Sequence, residues 1–244
     1  MKIDEFLQRF HITRPALSFT RVIFEDTPPD LDKGCIFQSA LHRAFDGEVI
    51  HLTTGSGVCR GANTGLGLVD GLPAIPGGFG YFISYGAGEG FPPGERIKCN
   101  PEVAEKMLLD QPQKVMDGFN AVRVKQWEPA DNADTVCFLV NPDSLSGLIH
   151  LFNFRRSDYD NIIAPMTSGC ASLFRIPFGE MLRESHRAVI GNVDITSRPH
   201  FDADTFFFTV SNSDFLNMLD DAEESIIAAP YWKRLEKRIS PTLS

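Results

Sequence analysis

The chain has 244 residues, 43% of them hydrophobic and 20 of them Phe, with 23 Lys and Arg against 32 Asp and Glu for a formal net charge of -9. A chain of about this size buries roughly 70% of the surface its unfolded form exposes, so the composition supports a large core and excludes intrinsic disorder. The acidic balance argues against nucleic-acid binding, because no basic stripe offsets it: Lys233, Arg234, Lys237 and Arg238 are interleaved with Leu235, Glu236 and Ile239 as at a solvated helix end.

In chain order, Asp4 to Phe10 predicts a short helix, and the alternation of Leu17, Phe19 and Ile23 predicts a half-buried strand over Ala16 to Phe24. Asp26 to Gly34, with Pro28 and Pro29, is a loop. From Cys35 to Phe45, the residues Ile36, Phe37, Ala40, Leu41, Ala44 and Phe45 form one apolar helical face. A strand over Glu48 to Thr53 then runs into glycine-rich sequence from Gly55 to Gly71. Between Pro73 and Gly94, glycines are interleaved with Phe79, Tyr81, Phe82, Tyr85 and Phe91, which predicts a packed binding loop, with a short strand over Tyr81 to Tyr85 as the alternative. Asn100 and Pro101 open a helix to Asp110; Ala121 to Trp127 and Thr135 to Val140 are strands; Asn141 caps a helix over Pro142 to Phe154. Ile162 to Met166 is extended, Pro177 to Glu184 helical, Ala188 to Ile195 and Thr205 to Ser211 strands, and Asp214 to Ile239 mostly helical with a break at Pro230. The interspersed order lacks the alternation of a doubly wound sheet, so the expected fold is α+β: a single domain over residues 1–244 with helices packed on a mixed sheet.

The acidic start of the chain has no apolar signal core, and no apolar run approaches the ~20 residues that cross a bilayer. Five cysteines are too few and too scattered for a disulfide framework. A cytoplasmic protein without membrane association is expected.

Candidate chemistry is sparse. Val49 to Leu52 followed by Gly55-Ser56-Gly57 and Gly61 is a degenerate nucleotide-binding turn, without the second strand and acid that would complete it. No Gly-Lys-Ser/Thr closes a P-loop, and no paired histidines mark a zinc site. Cys35, Cys59 and Cys170 could hold a soft metal or an iron-sulfur cluster, although no Cys-x-x-Cys spacing requires it. Cys137, between Val136 and Phe138, is expected in the core, and Cys99 lies at a loop-to-helix junction. The Phe206-Phe207-Phe208 run indicates a strand buried on both faces, and Arg198 offers a carboxylate clamp.

Several segments together resemble the family called domain of unknown function 169, found in archaea and bacteria. They are Gly34-Cys35-Ile36-Phe37-Gln38-Ser39-Ala40 with Ala44 and Gly47, then Cys59-Arg60-Gly61-Ala62-Asn63-Thr64-Gly65-Leu66-Gly67, then Asn141-Pro142 and Ser168-Gly169-Cys170. The resemblance extends over about residues 15 to 230. It implies a prokaryotic cytosolic protein, carries no established reaction, and places Cys35, Cys59 and Cys170 on recurring cysteine positions, which favours a shared site for them.

The resulting expectation is a small-molecule or cofactor pocket built from the Cys59 to Gly67 turn, the glycine and aromatic segment to Gly94, and the Gly169-Cys170 turn. Cys59, Gly61, Gly65, Gly67, Tyr81, Tyr85 and Arg198 are its candidate contacts. Two alternatives stand beside it. One is an enzyme using a metal or iron-sulfur cluster held by Cys35, Cys59 and Cys170, or a reactive Cys59 thiolate beside Arg60. The other is a homo-oligomeric scaffold with structural cysteines.

Overall fold

The structure is a computed structural model and describes residues 1–28, 31 and 35–239. Pro29 and Gly34, in the loop expected over Asp26 to Gly34, lie outside the described residues. In order, the elements are α1 (Ile3–Arg9), β1 (Leu17–Val22), α2 (Ile36–Phe45), β2 (Ile50–Leu52), α3 (Arg60–Gly65), α4 (Phe79–Ile83) and α5 (Pro101–Leu109). There follow β3 (Ala121–Gln126), β4 (Thr135–Val140), α6 (Pro142–Phe152), β5 (Ile162–Ile163), a π-helical turn (Ala171–Arg175) running into α7 (Ile176–Met181), β6 (Ala188–Gly191) and β7 (Phe206–Ser211). The chain ends in α8 (Asn212–Asp221), two 3-10 turns and α9 (Pro230–Ile239).

The seven strands form one sheet in the order β2-β3-β1-β4-β7-β6-β5, antiparallel throughout except for the parallel pair β5 and β6. The fold is α+β with a mixed sheet. Its centre follows from the period of two along a strand. In β4, Val136 and Phe138 face one helical layer, with Phe6, Phe10, Phe152, Phe215 and Trp232. Cys137 faces the other, with Phe19, Phe37, Leu41 and Phe174. β7 repeats the division, Phe208 joining the first layer and Phe207 the second, so both faces of the sheet are covered.

The helix starts follow from their caps. Asn100 and Asn141 each accept a backbone N–H three residues on, from Val103 and Ser144 at 2.8 and 2.9 Å, with Pro at the first helical position. At the far end, α6 approaches α9 at Gly147, where a Cβ would stand 2.5 Å from Cη2 and Cζ3 of the buried Trp232. Gly147→Ala is therefore expected to destabilise the fold by about 2 kcal/mol, even though Ala is the better helix former. Urea unfolding at unchanged m-value measures it, and a stabilised variant would contradict the close packing.

Four expectations are corrected. Tyr81 to Tyr85 is not a strand; the segment forms α4, opened by Gly78 at φ 97°. Within the loop expected from Gly55 to Gly71, residues Arg60–Gly65 turn into α3. The strand expected to reach Ile195 stops at Gly191, because Asn192 turns into the left-handed region at φ 61°. The helix over Pro177 to Glu184 starts earlier, through the π turn, and ends at Met181.

Candidate functional site

On the α2 side of the sheet, α2, α3, α4, α5 and the start of the π-helical turn surround a cavity of about 500 Å³. Each wall has a local cause. α3 starts at Cys59, whose Sγ accepts the Ala62 N–H at 3.3 Å and takes the place of a capping oxygen. It ends at Gly65, where a Cβ would lie 2.6 Å from Cys170 Sγ and 3.2 Å from the Ala171 nitrogen. Only a residue without a side chain lets α3 and the Cys170 turn meet this closely.

The opposite wall is the glycine and aromatic segment. After α4, the chain doubles back and pairs with it: the Glu95 N–H donates to the Phe82 carbonyl at 2.8 Å and the Ile97 N–H to the Ile83 carbonyl at 3.0 Å. Helical spacing puts Phe79, Phe82 and Ile83 on one face, and all three line the cavity. The same spacing turns Tyr81 away. Tyr81 and Tyr85 stand 42% and 50% exposed, edge to face with each other and outside the cavity lining. Arg60 fastens this wall, its Nη1 donating to the Ala74 carbonyl.

Arg175, in the π-helical turn, is fully buried and ties the end of α3 to the Pro112-Gln113 segment beside the site. Its Nη1 donates to the Thr64 carbonyl at 2.7 Å, its Nε to the Pro112 carbonyl at 2.5 Å and its Nη2 to Gln113 Oε1 at 2.7 Å. Burial holds its pKa below the usual guanidinium value, opposed by the Asp70 charge.

Cys35, Cys59 and Cys170 all line the one cavity. They do not form a metal shell: among the described residues, no group of three or more His, Cys, Asp or Glu is placed to hold a metal ion. Cys59 is used as the α3 cap, and Cys170 packs on Gly65 and shares a hydrogen bond with Ser168 Oγ at 3.3 Å. Burial pushes the Cys170 thiol up to about 12; the Ser168 hydrogen bond works against this, and the nearby Cys59 and Cys35 charges add to it.

Of the other expected contacts, Gly61 and Gly65 line the cavity and Gly67 does not: it sits at φ 69°, where a Cβ would overlap Val115. Arg198 is directed elsewhere. Its guanidinium donates to the Ala203 and Thr205 carbonyls and lies 4.9 Å over the Phe206 ring, closing its own loop. Cys137 is buried as expected, its sulfur accepting the Thr209 hydroxyl at 3.2 Å, and Cys99 is exposed outside the cavity lining. The nucleotide-binding turn is not supported, because β2 before it is an antiparallel edge strand and α3 after it has 6 residues.

Gln38 escaped the sequence reading. It is 2% exposed on α2, lines the cavity, and its Oε1 has no hydrogen-bond partner. A signal was available: Gln38 falls in phase with Leu41 and Phe45, at i+3 and i+7, on the face expected to be apolar.

The pattern of the DUF169 family, described as uncharacterised ArCR, matches residues 13–221. The chain belongs to the DUF169 family. The span shared with DUF169 contains every cavity residue from Cys35 to Ser197. No curated protein and no solved structure matches the chain. In this DUF169 chain, no helix among the described residues is long and apolar enough to cross a membrane.

Proposed function

We propose that the protein binds a small organic molecule with a largely apolar body in the cavity between α3 and α4. The observation that carries this reading is a cavity of about 500 Å³ with apolar walls, lined by the buried Gln38, whose Oε1 has no hydrogen-bond partner. Buried polar groups without partners are rare in folded proteins, and each is costly, so such a group beside a cavity points to a ligand that completes it. The volume fits a drug-sized molecule. Phe79, Phe82, Ile97 and Leu108 supply the apolar walls.

Nile red, a neutral apolar dye that brightens out of water, tests the reading. Saturable binding at one site is expected, weakened about tenfold by Phe82→Ala, since loss of a ring contact is worth more than 1 kcal/mol. Tyr81→Ala, outside the cavity, should bind as the parent does. Absence of saturable binding, or equal affinity in folded Phe82→Ala and Tyr81→Ala, overturns it.

A further inference from the structure

The polar groups of the cavity gather around Gly169. Asp194 Oδ2 accepts the Gly169 N–H at 3.3 Å, and a Cβ on Gly169 would lie 2.8 Å from Ser197 Oγ and 3.3 Å from Gln38 Nε2. Asp194 is fixed in place. Its Oδ1 accepts the Thr196 N–H at 3.0 Å and its Oδ2 the Thr196 hydroxyl at 2.8 Å. Glu95 is also in the lining; solvent-exposed over part of its surface, it has its carboxyl held above the usual range first by partial desolvation and then by the Asp194 charge.

Two carboxylates therefore face one cavity, and among the described residues neither has a cation within ion-pair distance. Arg60 is the one cationic side chain among the described lining residues, and it is held by the Ala74 carbonyl. Two like charges at an apolar cavity are unfavourable when nothing offsets them. An arriving cation relieves that repulsion, and the Gln38 carboxamide, whose Oε1 has no partner, borders the same corner.

We propose that this corner selects an organic cation: an ammonium or amidinium group on an apolar body, its N–H groups meeting Asp194, Glu95 and Gln38 while the body lies against Phe79 and Phe82. The proposal rests on the cavity-binding reading above and adds the chemical class of the ligand. It is independent of the thiols, and the same corner disfavours carboxylate and phosphate ligands.

Displacement of Nile red by phenylbutylamine, phenylbutanol and phenylbutyrate at neutral pH separates the two claims, because the three differ only in their polar end. The amine is expected to displace the dye at about one tenth of the alcohol concentration, and the carboxylate to be weaker than both. Glu95→Gln should reduce the amine's advantage over the alcohol at least about threefold. Asp194→Asn combined with it should remove the advantage; if the pair does not fold, the single Glu95 variant decides. Dye binding with equal displacement by amine and alcohol overturns the cation proposal alone, as does an amine preference that survives Glu95→Gln undiminished. Failure of the dye itself to bind overturns the cavity reading and the proposal with it.

Discussion

Arg175→Ala is expected to destabilise the protein by roughly 4–6 kcal/mol, lowering the melting temperature by about 10–20 °C for a chain of this length. The side chain is fully buried and meets three acceptors, the Thr64 and Pro112 carbonyls and Gln113 Oε1. Truncation opens a void, worth about 2–5 kcal/mol, and leaves the Pro112 carbonyl without a donor at about 1–3 kcal/mol, while the Thr64 carbonyl keeps the Gly67 N–H at 2.9 Å and the exposed Gln113 turns to water. Arg175→Lys should recover only part of the loss, since one ammonium cannot serve three acceptors that the guanidinium reaches in a fixed fork. Because Thr64 belongs to α3, the variant should also lose dye binding under conditions where it remains folded. Thermal unfolding that matches the parent within about 1 kcal/mol would show that this arginine is dispensable.

Stability is expected to fall by about 3 kcal/mol between about pH 8 and about pH 10 through two thiols alone. Burial pushes Cys137 and Cys170 up to about 12 in the fold, against an ordinary value of 9.0. Above 9.0 the unfolded chain releases both protons while the folded protein keeps them. The unfolded state then binds fewer protons, so stability decreases as pH rises, by about 1.4 kcal/mol per pH unit for each thiol. Urea unfolding across this range measures the slope. Cys137→Ala and Cys170→Ala should each remove about half of it, and a slope unchanged in both variants would assign the alkaline loss to other groups.

How far the sequence could be read varied with the kind of signal. Thr135 to Val140 was bounded to the residue, because an unbroken apolar run followed by Asn-Pro has few other structures available. The convergence of Cys35, Cys59 and Cys170 on one cavity was foreseen through their positions beside glycine turns and through the family pattern, whereas spacing alone was uninformative. α4 was missed because a segment dense in glycine has little intrinsic preference; its helix is fixed by return pairing with Glu95 and Ile97, contacts that no local window contains. Read as a loop, the segment offered no period by which to choose Phe79 and Phe82 over Tyr81 and Tyr85 as the cavity wall, and helical spacing makes that choice. Gln38 and Arg175 were the most informative residues passed over. Each is a polar residue within an apolar pattern, and each is now the group whose hydrogen bonding decides something.

The π-helical turn over Ala171–Arg175 sets the phase between the cavity and α7. Such a turn is an α-helix carrying one additional residue, and each residue turns a helix by about 100°. Cys170 on one side of it meets the cavity, while Phe178 in α7 on the other packs into the core beneath the sheet. Without the extra residue, the two could not keep these directions together: one would rotate by more than a quarter turn. Deleting one residue of the turn is therefore expected to turn either the Cys170 sulfur out of the cavity or α7 off its seat, with no substitution in the lining.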